Sequence, residues 1–113
     1  MKSTLIRFLQ LKDVLSGQHI DAEIDLTAQK LLEVLTLHHA QERALTVTDV
    51  MQLQSIASPA TLHRKLSTLL EHGYVDLVFE GKNRRTKYLR PTEMAEDYFE
   101  QAGLVMKKAL AHI

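Results

Sequence analysis

Ser58, Thr61 and Arg64 stand three residues apart, a spacing that puts them near one face if the stretch is helical. Hydroxyls and a guanidinium in this order suit holding an anion and reading polar edges rather than breaking bonds. The helix N-terminus they would occupy offers free N–H groups to a phosphate, and Ser58 and Thr61 add hydroxyls. Arg64, one turn further on, suits a two-pronged contact to guanine, worth about 1–3 kcal/mol of discrimination. Pro59 and Ala60 are small enough for close approach to a groove, Ser67 and Thr68 continue the polar face, and His63 and Lys65 flank it. A second cationic set follows at Lys82, Arg84, Arg85 and Lys87. The two arginines suit a narrow minor groove and the two lysines suit phosphates. The competing expectation for Arg64 is an ion pair with Glu71 or with an acid on another helix.

Two elements must position these groups. The first is a helix with Ser58 as N-cap and Pro59 at its first position, where a missing N–H costs nothing. Leu62, Leu66, Leu69 and Leu70 form its apolar face, opposite Ala60, Arg64, Ser67 and Thr68, and Gly73 closes it. The second is a hairpin. Tyr74–Phe79 alternates, with Val75, Leu77 and Phe79 on one side and Tyr74, Asp76 and Val78 on the other. Glu80–Arg85 holds the turn, with Gly81 and Asn83 suited to positive φ, and Thr86–Arg90 returns.

Upstream, residues 3–16 read as a helix whose apolar side chains do not make one stripe. Leu5, Phe8, Leu9 and Leu15 lie together, while Ile6, Leu11 and Val14 spread round the cylinder, so more than one neighbour is expected, a second subunit among them. Gly17 ends this helix and 18–25 is a polar connection. A second helix is expected from Thr27 as N-cap to about Arg43, with Leu31, Leu32, Leu35 and His39 inward. Thr46 and Asp49 have capping-box spacing and start a third, carried by Val50, Leu53, Gln54 and Ile56 to a turn at Ala57. Thr92 caps a long terminal helix with Ala95, Tyr98, Phe99, Ala102, Val105, Met106, Ala109 and Leu110 as its stripe. Lys107, Lys108 and His112 sit near the negative end of that helix.

Formal net charge is zero, but it is polarised. Residues 58–92 hold seven basic and three acidic side chains, leaving the remainder of the chain acidic. Cysteine is absent, which excludes disulfides and thiolate metal sites and suits a cytoplasmic location. No apolar run approaches the roughly 20 residues of a membrane span, and no secretory signal pattern is present. His38, His39 and Glu42 are a thin basis for a metal site, and His72 reads as a helix-end residue. No phosphate-binding glycine loop or nucleophile elbow occurs, and nothing groups the serines and histidines, so neither enzyme activity nor a cofactor is expected.

The span from Leu26 to Ala95, about two thirds of the chain, resembles the MarR family of bacterial winged-helix transcription regulators. The resemblance is carried by Leu26-Thr27, Gln29, Leu31, Leu32 and Leu35, and by Leu45-Thr46 with Asp49-Val50. It continues through Ile56, Ser58, Thr61, Arg64, Leu66, Leu69 and Gly73-Tyr74-Val75 to Asn83-Arg84-Arg85-Thr86-Lys87 and Pro91-Thr92 with Ala95. Asn83 stands where the family usually has an acid that steadies the wing arginine, and Pro91 replaces an apolar residue. The resemblance implies an α+β, mostly α fold: a winged helix-turn-helix of three helices and a two-stranded wing, with additional N- and C-terminal helices. At 113 residues one domain over 1–113 is expected, with the winged module at 26–92 and dimerisation helices and linker at 1–25 and 93–113. The resemblance also implies a homodimeric repressor that binds double-stranded DNA and is released by a small-molecule effector. The rival reading is a winged-helix module that docks an acidic protein partner without binding DNA.

Overall fold

Local side-chain chemistry sets most of the element boundaries. The computed structural model describes residues 1–16 and 23–111; the expected break at Gly17, the polar run 18–22 and His112 lie outside them, as do the side chains of 12, 14–16, 109 and 110. The element order is α1 (Lys2–Ser16), α2 (Leu26–Ala40), α3 (Val47–Val50), α4 (Pro59–Glu71), β1 (Val75–Phe79), β2 (Lys87–Pro91) and α5 (Glu93–Ala111). This is a winged helix-turn-helix, mostly α, with α2, α3 and α4 as its three core helices, β1–β2 as its wing and α1 and α5 flanking. The chain divides into two compact units, one of Ala22–Ala95 and one of Met1–Asp21 with Glu96–Ile113.

In the first unit α2 packs against α4 and β2, and α4 against β1. The core consists of Ile24, Ala28, Leu31, Leu32, Leu35, Val50, Leu62, Leu66, Leu69, Tyr74, Val75, Leu89 and Ala95. Leu70, expected with the apolar face of α4, is only half-buried, as is His39.

Asp25 rather than Thr27 caps α2, its carboxylate accepting from the Ala28 N–H at 2.9 Å. The helix stops at Ala40, short of the expected Arg43. Glu42 adopts φ +59°, which lets the Arg43 N–H reach the His38 carbonyl and the Glu42 N–H reach that of His39. That is a Schellman closure built without glycine. Replacing Glu42 with glycine should therefore raise stability by about 1 kcal/mol, read from thermal unfolding, because a non-glycine residue is strained in the left-handed region.

The Thr46–Asp49 capping box forms as expected, but α3 is one turn long. Its β-branched residues favour helix weakly, and only Val50 is buried. Beyond it the chain tightens into i→i+3 turns that half-bury Leu53 and Ile56. Gly73, at φ +80°, closes α4 through Tyr74 N–H to Leu69 O and Gly73 N–H to Leu70 O, the same motif as in α2.

The wing strands are antiparallel, in a register running from Val75 opposite Pro91 to Phe79 opposite Lys87, one residue later at each strand start than expected. The Leu89 N–H bonds the Leu45 carbonyl at 2.8 Å, outside the hairpin. Strand period then puts Pro91's missing N–H on that outer side as well, so the ladder loses no bond. Thr92 joins wing to helix: its hydroxyl donates to Gly73 O at 2.6 Å and accepts from Ala95 N–H at 3.4 Å, and its N–H bonds Tyr74 O.

In the second unit, α1 half-buries Thr4, Phe8 and Leu11 and exposes Leu5, Ile6 and Leu9. Tyr98 and Phe99 of α5 meet edge to face at 5.2 Å, while Leu104 and Met106 are exposed. Among the described residues no helix is long and apolar enough to cross a membrane.

Candidate nucleic-acid interface

The N-terminus of α4 carries one connected set of polar groups. Ser58, in extended backbone at φ −65° and ψ 156°, accepts from the Thr61 N–H at 3.3 Å. Its hydroxyl donates to Thr61 Oγ1 at 3.1 Å, and the same oxygen accepts from Arg64 Nη2 at 3.3 Å. Pro59 has no N–H and that of Thr61 is taken, so in the first turn of α4 the Ala60 N–H is the one without a partner among the described residues. Ser58, Pro59, Ala60, His63 and Arg64 are exposed; Thr61, Ser67 and Thr68 are half-buried. The Thr68 hydroxyl folds back onto the Arg64 carbonyl. Among the described residues Arg64 has no acid partner, and the expected alternative of a pair with Glu71 does not form.

Lys65 differs from its neighbours. It is half-buried, and its ammonium bonds Asp25, the cap of α2. That hydrogen bond, helped by the Ala28 N–H and opposed by slight burial, holds the Asp25 carboxyl below its ordinary value. A carboxyl depressed in the folded state stabilises fully above its unfolded value, near 3.9, and loses that contribution as pH falls through the folded one. Asp25→Asn keeps a capping side chain but removes the charge. The variant should unfold at lower temperature than the parent at pH 7, with the gap closing toward pH 3. The effect is small because Asp25 is half exposed to solvent. A second pair, His72 Nε2 with Glu23 Oε2 at 2.7 Å, ties the same entry segment to the far end of α4.

The wing holds the other cations. Gly81 sits at φ +59° in the turn, and Asn83 Oδ1 accepts from the Arg85 backbone N–H at 2.9 Å. The Asn83 amide thus braces the main chain at Arg85. Lys82, Arg84, Arg85 and Lys87 are all exposed and, among the described residues, none pairs with an acid. Arg90 lies opposite Asp76, 3.8 Å away. Phe79, on the same strand side as buried Val75, is exposed. The Arg84 guanidinium lies over its ring at 5.6 Å from the centroid and the Lys87 ammonium at 5.4 Å. An aromatic opposite one cation and five residues before another was the available signal.

No three His, Cys, Asp or Glu side chains come together to hold a metal among the described residues, and the Nδ1 of His38 is buried without a hydrogen-bond partner. The site can therefore offer a capped helix end, one exposed guanidinium and a cationic hairpin.

The fold is similar to the crystal structure of RV1404 from Mycobacterium tuberculosis, with TM-score 0.63 at 16% identity over 98% of this chain and 74% of that one. It is also similar to the heme sensor protein PefR from Streptococcus agalactiae in complex with heme, with TM-score 0.59 at 15% identity over 95% and 73%. No family model matches the sequence, and no curated protein matches it.

Proposed function

We propose that this chain is a sequence-specific, double-stranded DNA-binding regulator of transcription, a MarR-like homodimer acting as a repressor by occluding its site. The observation that carries the reading is Arg64. Its guanidinium is exposed, steered by Thr61 and free of any acid among the described residues, on the outward face of α4. In the major groove that geometry suits the O6 and N7 edge of guanine. The Ala60 N–H and the Ser58 and Thr61 hydroxyls would meet phosphate, with His63, Ser67 and Thr68 beside them. Arg84 and Arg85 would meet the phosphates that border the minor groove, with Lys82 and Lys87 beside them on the backbone. Lys65 serves this surface through Asp25, by holding α4 to α2.

The exposed Leu5, Ile6 and Leu9 lie on one face of α1 and support a dimer, because isolated exposed apolar residues are common but clusters on a helix face mark contact surfaces. A two-fold pair would read two half-sites about one helical turn, ~34 Å, apart. The MarR resemblance implies release by a small effector, and PefR is itself a heme sensor.

Selection from a randomised duplex pool tests the reading. An enriched inverted repeat with half-sites near one turn apart supports it. A folded protein that enriches nothing would instead favour the acidic-protein partner.

A further inference from the structure

We infer that Phe79 is a positioning residue of the wing, whose ring holds the Arg84 guanidinium and the Lys87 ammonium in place for the phosphate backbone. The inference rests on the DNA-binding reading and assigns a task to a residue that reading does not use. Strand alternation puts Val75, Leu77 and Phe79 on one face. That face leaves the core along the strand: Val75 is 1% exposed, Leu77 37% and Phe79 39%. At its end the ring carries two cations, each within the ~6 Å reach of a cation–π contact.

They arrive by independent routes. Lys87 is the cross-strand partner of Phe79 in the last pair of the ladder. Arg84 is delivered by the turn, which bends at Gly81 and is braced by Asn83. Without the ring, two long side chains of like charge would repel and sample many rotamers, and phosphate would have to order both. A pair already ordered loses less freedom on contact.

The test uses the full chain and a duplex enriched by selection. Phe79→Leu keeps apolar bulk without a π face, and should weaken binding roughly 5- to 10-fold. Phe79→Tyr should stay within about twofold, since its ring keeps the same face. Lys87→Gln should cost less in the Phe79→Leu background than in the parent, because the two residues act together. A readout independent of DNA and of any variant is the proton spectrum of the free protein. The Lys87 Hε and Arg84 Hδ resonances should be displaced upfield by the ring.

Absence of that displacement, parent-like affinity in Phe79→Leu, or an unchanged cost of Lys87→Gln would each overturn the inference while leaving DNA binding intact. A parent that binds no duplex at low salt overturns both readings, even with the displaced resonances present.

Discussion

Replacing Arg64 with glutamine should erase preference at one base pair of each half-site while leaving the protein as stable as before. Arg64 is exposed and its only side-chain partner among the described residues is Thr61 Oγ1, so removing it opens no cavity and strands no buried charge. What it removes is a planar pair of donors that glutamine cannot present to guanine. The discrimination lost is about 1–3 kcal/mol, roughly 5- to 150-fold. Arg85→Gln should behave differently. A phosphate contact carries no base information, so its loss weakens all sequences alike and lowers the salt slope by about one per protomer. Affinities of both variants for the enriched duplex and its single-base variants separate the roles. Equal discrimination in Arg64→Gln and parent would remove α4 from the reading surface.

The second large effect is expected at α1. Leu5→Glu with Leu9→Glu should convert the dimer to a folded monomer. Both leucines are exposed, while Thr4, Phe8 and Leu11 of the same helix are half-buried. A leucine buried at an interface contributes about 1.5–3 kcal/mol. Removing two from each protomer and placing carboxylates there should shift the dimer constant by at least ~10³. Sedimentation across micromolar concentrations reads the change, and binding should fall to that of a single half-site. A variant that remains dimeric would move the interface off α1.

Features set within three or four residues were legible beforehand. Ser58 with Pro59, Thr46 with Asp49, and Gly73 each form the cap their side chains suit, because cap chemistry is local. Asp25 and Thr27 are both capping types two residues apart. The choice of Asp25 coincides with an ion pair to Lys65, forty residues along the chain, which local pattern does not show. The early stop of α2 was hidden because glutamate, not glycine, takes the left-handed position. In the candidate site, the polar face of α4 and the wing cations were readable as types and spacings. Two things were not: Lys65 turning to an acid, and Phe79 staying in solvent. Alternation predicts which residues share a strand face, but not how far the strand runs past the core that would cover it.

The central claim is sequence-specific DNA binding by α4 and the wing, and binding across a salt series tests it most directly. Affinity of the parent for its enriched duplex and for a scrambled one should be compared between ~50 and ~200 mM salt. If Lys82, Arg84, Arg85 and Lys87 of both protomers meet phosphate, log K should fall against log salt with a slope of about −7 for the enriched duplex. The enriched duplex should remain at least ~10³ tighter than the scrambled one. A flat salt response, or equal affinity for the two duplexes in a folded dimer, would contradict the account.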